Sequence, residues 1–180
     1  ITGCSNTSGG GTGVANEDGL VVLNVASTGQ PVSFDPADAN LVVNEYTEYD
    51  CYDTLLDFNQ DGTDVVPALA ESWEQVDDLT YTYKIREGVK FSDGSDLTMD
   101  DVLYSLNRVR EDAYGMSYLF EHVDSFEVDE RTRTLTVHLT QPDSTWKYVP
   151  ATTPCQILKK SVVEAEGDAY GTNEGSVVGT

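Results

Sequence analysis

Val65-Val66-Pro67-Ala68-Leu69-Ala70-Glu71-Ser72-Trp73, followed after a short polar gap by Leu79-Thr80-Tyr81-Thr82-Tyr83-Lys84-Ile85, is the most informative stretch of the sequence. The first block is a compact apolar patch. Its proline has a fixed φ and no amide donor, which suits the edge of a sheet, and Trp73 is expected to make a large core contribution. The second block alternates apolar and polar residues at Leu79, Tyr81, Tyr83 and Ile85, the period of a half-buried strand. Asp77-Asp78 between the blocks supplies turn chemistry.

Towards the C-terminus, Val89-Lys90-Phe91 leads into an Asp93-Gly94 turn. Thr98 followed by Asp101 has the spacing of a capping box, with the acid in the first turn of the helix it opens. That helix places Val102, Leu106 and Val109 on one side, with Tyr104, Arg108 and Arg110 elsewhere. Val123 to Val128 and the alternating Leu135, Val137 and Leu139 read as a hairpin around Asp129-Glu130-Arg131-Thr132. A helix start at Pro142-Asp143-Ser144, a short apolar strand from Cys155 to Leu158 and a polar helix from Ser161 to Gly167 complete this half. Towards the N-terminus, Leu20 to Ala26 reads as a buried strand. Val42, Tyr46, Tyr49, Tyr52 and Leu56 recur at helical spacing, predicting a helix of about four turns that Asn59-Gln60-Asp61-Gly62 stops. Strands, helix, strands, helix and strands in this order give an α+β class around a mostly antiparallel sheet with packed helices.

The 180 residues include 32 acids against 10 bases, a formal net charge of −22. Clustered cations are what bind a phosphate backbone, so nucleic acid is not an expected partner. Residues 1–83 carry 15 acids and no Lys or Arg at all. A solvated, self-repelling surface explains this, and a salt-adapted source or an acidic partner-facing patch are the other readings. No apolar run approaches the roughly 20 residues that a membrane-spanning helix needs. With two histidines, no CxxC and no Cys/His cluster, neither a cofactor nor a metal site is expected.

Ile1-Thr2-Gly3-Cys4 and the Gly/Ser/Thr tract after it resemble a bacterial lipobox remnant and its tether, which implies a lipid attached to Cys4. The alternative is a chance cysteine near a terminus. Export would permit a Cys51–Cys155 disulfide, although two independent buried thiols are the preferred reading.

Several blocks together resemble the extracellular solute-binding proteins of family 5, which serve ABC importers of peptides, nickel chelates and related solutes. They are Ser33-Phe34-Asp35-Pro36, Val66 to Trp73, Lys84 to Gly94, Leu97-Thr98-Met99-Asp100-Asp101-Val102 and Val178-Gly179-Thr180. The resemblance implies the N-terminal part of a two-lobed, periplasmic-binding-protein-like fold of the peptide-binding type. Residues 1–16 would be lipobox remnant and tether, 17–44 the first strand and loop of lobe one, 45–172 an α+β subdomain, and 173–180 the start of the return into lobe one. It further implies a short peptide as solute, an ABC permease as membrane partner, and an extracytoplasmic location at the cell membrane. Cleft residues carried over in this way are Asn40 and Val42 after Asp35-Pro36, Tyr114, Met116 and Tyr118 after the capped helix, and Thr153. Tyr114 and Tyr118, four apart, have core packing as their plainer reading. Asp93, Asp100 and Asp101 are accounted for by turn and cap roles, so no catalytic residue is expected. A non-peptide solute, such as a nickel chelate or an oligosaccharide, and a surface adhesion module are the competing functions.

Overall fold

The computed structural model describes residues 33–38, 51–111, 116–172 and 177–180. Two antiparallel sheets organise them. The smaller pairs β1, Leu56–Phe58, with β2, Val65–Pro67, in the register Leu56 to Pro67 and Phe58 to Val65. The loop between them is closed by Asn59, whose Oδ1 accepts the Thr63 amide at 2.9 Å. The larger sheet contains β3, Ala70–Asp77, β4, Thr80–Ile85, β5, Val123–Asp129, and β6, Thr134–Leu139, in the spatial order β3-β4-β6-β5.

The strand alternation of the sequence survives with one amendment. Tyr81, Tyr83 and Ile85 on β4 and Leu135, Val137 and Leu139 on β6 point to one buried face, where Tyr81 lies opposite Val137 and Tyr83 opposite Leu135. Removing each of the aliphatic side chains among them from water stabilises the fold by about 1.5–3 kcal/mol. Leu79, expected as the first inward residue of this strand, is exposed in the tight turn between β3 and β4 instead. The turn is held by Asp77, whose Oδ1 accepts the Leu79 amide at 2.8 Å, and a residue bonded into the turn cannot also join the pleat.

Helix α1, Met99–Glu111, lies over that face and buries Met99, Val102, Leu106 and Val109. Its start is the expected capping box. Asp101 N donates to Thr98 Oγ1 at 3.2 Å while Asp101 Oδ2 accepts the Thr98 amide at 3.0 Å. The second oxygen, Asp101 Oδ1, accepts the Lys160 amide at 3.0 Å at the start of α2, Lys160–Glu166, so one carboxylate anchors two helix N-termini. Ser105 Oγ adds a further tie, donating to the Asp101 carbonyl and accepting the Leu158 amide at 2.9 Å.

Three expected elements are corrected. The helix read through Tyr52 and Leu56 is absent at that end: residues 52–54 are non-helical and Leu56 opens β1. Their backbone groups serve tertiary partners, with Asp53 O accepting the Ile157 amide at 2.8 Å and Leu55 O accepting Ala70 N at 2.9 Å. The remainder of that helix, and the strand expected over Leu20 to Ala26, lie outside the described residues. No α-helix follows Pro142-Asp143-Ser144. Turns lead there into a 3₁₀ turn, Val149–Ala151, because Pro150 withholds the donor a longer helix needs. Cys155 to Leu158 is not a strand either: Cys155 ends a second 3₁₀ turn, Thr153–Cys155, and residues 156–159 continue without regular structure into α2. The apolar character that suggested a strand instead closes the core, where Cys155 and Ile157 are fully buried beside Trp146. Trp146 is the tryptophan of the core, edge-on to Phe120 at 5.5 Å between centroids, whereas Trp73 is only half-buried.

Cys155 carries a free thiol, so the Cys51–Cys155 disulfide does not form. Burial pushes that thiol up to about 12, with Thr152 Oγ1 at 3.7 Å from Sγ. The closing block Val178-Gly179-Thr180 is also explained. Gly179 O accepts the Ser92 amide at 2.7 Å and Thr180 Oγ1 accepts the Asp53 amide at 3.1 Å. The backbone runs so close to Cys51 that a Cβ on Gly179 would lie 1.4 Å from the Cys51 carbonyl oxygen.

Candidate functional site

Ser33-Phe34-Asp35-Pro36 forms the spine of the site. Ser33 Oγ accepts the Asp35 amide at 3.1 Å, and Asp35 Oδ1 accepts the Ala37 amide at 3.0 Å. This is an Asx-type turn that opens the 3₁₀ turn Pro36–Asp38, with proline at its first position, where a missing donor costs nothing.

Asp35 is buried, and its carboxylate is met by the guanidinium of Arg108 in the last turn of α1. Arg108 Nη1 donates to Oδ1 at 2.7 Å and Nη2 to Oδ2 at 2.6 Å, with side-chain exposures of 5% for Asp35 and 15% for Arg108. A bidentate fork of this kind fixes distance and rotation together. The Arg108 guanidinium lies 5.7 Å from the centre of the Tyr170 ring, and the Tyr170 hydroxyl is 3.0 Å from that of Tyr52. Burial raises the Tyr170 phenol well above its ordinary value, so it stays neutral. Gly171 closes the third side. Its carbonyl accepts the Phe34 amide at 2.9 Å, its φ is +78°, and a Cβ there would meet Asp35 N at 2.6 Å. Only glycine satisfies both the left-handed backbone and the close approach.

The 3₁₀ turn Pro36–Asp38 packs on the 3₁₀ turn Thr153–Cys155. Thr153, a candidate binding residue, therefore sits beside the Asp35-Pro36 segment and is buried. On the outer face of α1, Tyr104, Asn107, Arg108 and Glu111 line an open hollow of about 310 Å³. Met116, past the end of α1, is half-buried against the main core. Tyr118 follows in the 3₁₀ turn Ser117–Phe120 and is 64% exposed, so it does not take the core position that was its plainer reading. Asn40, Val42 and Tyr114 lie outside the described residues.

Asp93, Asp100 and Asp101 occupy turn, surface and cap positions. Asp93 accepts the Ser95 amide at 2.9 Å and pairs with Lys159, and Asp100 pairs with Lys160 at 2.8 Å. The hydrogen bond from Lys159, joined by those from Ser95, holds the Asp93 carboxyl well below the usual carboxylate range.

Sequence reasoning singled out Asp35 and Pro36 but missed Arg108, Tyr170 and Gly171 as their partners. Arg108 is 73 positions from Asp35, and no local spacing links them. The one available signal was an arginine off the apolar stripe of a helix otherwise explained by capping and burial.

This subdomain architecture defines a class, the extracytoplasmic solute-binding fold. Residues 64–180 match the family described as bacterial extracellular solute-binding proteins, family 5 Middle, and the chain belongs to that family. Heme-binding protein A of Haemophilus influenzae is 40% identical over 90 residues, which cover 43% of this chain and 16% of that protein. The dipeptide-binding protein of Pseudomonas aeruginosa is 37% identical over 95 residues, covering 48% and 18%. Among solved structures, Haemophilus influenzae OppA in complex with the peptide RPPGFSPFR superposes with a TM-score of 0.73 at 26% identity, covering 83% of this chain and 33% of OppA. The chain thus spans less than a fifth of these curated relatives and about a third of that solved structure.

Proposed function

We propose that the chain forms the N-terminal part of the solute-binding component of an ABC importer, capturing a short peptide outside the cell and delivering it to a membrane permease. The observation that carries this reading is the family membership of residues 64–180, together with the peptide-binding relatives it shares that fold with. In this reading residues 17–44 supply the first strand and loop of lobe one, 45–172 the α+β subdomain and 173–180 the return. Asn40, Val42, Tyr114, Met116, Tyr118 and Thr153 border the solute, and a lipid on Cys4 tethers the protein to the membrane. Binding proceeds by closure of two lobes, in which solute contacts favour the closed state over the open one. The exposure of Tyr118 and the half-burial of Met116 suit an aromatic and thioether wall that tolerates varied side chains.

A second reading keeps the capture role and changes the solute to a non-peptide, and the 40% identity to a heme-binding protein is the observation that favours it. Native mass spectrometry of the full protein as purified, followed by denaturation and identification of what is released, separates the two. Peptides of narrow length range, and a raised melting temperature in a short-peptide mixture, are expected from the first reading. Release of a non-peptide solute, with no peptide shift, overturns it in favour of the second.

A further inference from the structure

The Asp35–Arg108 pair joins two segments whose sequence continues into stretches that the family reading places along the border of the cleft. In the sequence, Asn40 and Val42 follow Ser33–Asp38, and Tyr114 and Met116 follow the last turn of α1. Whatever fixes Asp35 against Arg108 therefore fixes the roots of both stretches relative to one another.

The chemistry of the contact suits that task better than simple stabilisation. A buried ion pair is poor at adding stability over an apolar pair of similar volume, whereas its two parallel hydrogen bonds specify one orientation. The surrounding groups hold each partner in that orientation: Ser33 Oγ and the Ala37 amide set the Asp35 turn, and the Tyr170 ring backs the guanidinium.

We propose that Asp35 and Arg108 form a latch that couples the Ser33–Asp38 segment to the C-terminal turn of α1 and holds these two segments as one unit. Arg108 is in this sense a positioning residue that acts through Asp35. The solute it serves rests on the reading above; the coupling does not.

Hydrogen exchange on the full protein tests the latch, comparing wild type with Arg108→Gln, Arg108→Lys and, as a control for charge, Arg110→Gln. Arg110 is on the same helix but donates to the Asp124 carbonyl at 2.7 Å, away from Asp35. Arg108→Gln is expected to speed exchange at least tenfold in both Ser33–Asp38 and Asn107–Glu111, with β4 and β6 unchanged within twofold. Arg108→Lys should give a smaller rise in the same two stretches, and it reads the same coupling where the Gln variant does not fold. Arg110→Gln should leave Ser33–Asp38 unchanged. Exchange that rises in one stretch only, or equally across β4 and β6, overturns the proposal. A parallel melting-shift titration with a random tripeptide mixture should show affinity at least tenfold weaker for Arg108→Gln. A wild type that ignores the tripeptides while the exchange pattern holds removes the peptide reading and leaves the latch. Tripeptide shifts equal in all variants, with unchanged exchange, do the reverse.

Discussion

Asp101 shows how much a single residue does in this fold. It accepts from the Thr98 backbone and side chain with one oxygen and from the Lys160 amide with the other. Thr98→Ala removes one half of a capping box, and a loss of about 1 kcal/mol is expected. Asp101→Ala leaves amides unmet at the starts of both α1 and α2, and about 3 kcal/mol is expected once the unmet donors are included. Urea unfolding of the two variants checks the ordering, and equal losses would show that the α2 contact contributes nothing. The cap itself was legible in the sequence because a capping box is a local pattern. The bond to Lys160 was not, since it joins residues 59 positions apart.

At the scale of elements, the sheet and α1 were readable and the segments around them were not. β4 and β6 alternate because one face meets the core, and period two in the sequence reports that directly. The stretch 142–158 has no period because it plugs the open end of the core with successive 3₁₀ turns, each with a proline as its middle residue. Tyr52 and Leu56 were misread for a related reason. Spacings of three and four also arise when an extended chain passes between partners, here Tyr170 on one side and the main core on the other. The two expectations separate experimentally. Trp146→Ala is predicted to cost about 3–5 kcal/mol, as large buried aromatics do. Leu79→Thr, at an exposed turn, is predicted to stay within about 0.5 kcal/mol. Guanidinium unfolding midpoints measure both, and a large loss for Leu79→Thr would restore it to the pleat.

For the whole molecule the governing quantity is charge. A net −22 spread over 180 residues destabilises any compact state by self-repulsion, and salt screens it, with a Debye length of about 3 Å at 1 M. The melting temperature of the full protein is therefore expected to rise by several degrees between 0.05 and 1 M NaCl, equally in KCl; a fall would show that ion pairs outweigh repulsion. Proton linkage sets the acid limb. Asp93, held low chiefly by its hydrogen bond from Lys159, and Asp129, held low chiefly by that from Thr132, have folded values below their unfolded ones. Their stabilisation is present above an unfolded carboxyl value of about 4 and is lost as pH falls through the folded values. Asp93→Asn should thus flatten the decline of stability below pH 4, measured by urea unfolding across that range. On the alkaline side, Cys155 is raised to about 12 by burial, and Tyr83 is raised by burial as well. Their contribution is full below the unfolded values and is lost as pH rises towards the folded ones, so unfolding midpoints should fall above about pH 9.

The α+β class, the β4 and β6 faces, the α1 cap and stripe, and the family were all legible before folding was considered, because each is written in local periodicity or in blocks of adjacent residues. Folding in three dimensions was needed to clamp Asp35 with Arg108 and back the pair with Tyr170 and Gly171, to centre the core on Trp146 and not Trp73, and to seal it with Cys155 to Leu158 without forming a strand. Those outcomes rest on contacts between residues far apart in the chain, and their partners are selected by shape, charge and burial after the chain has folded.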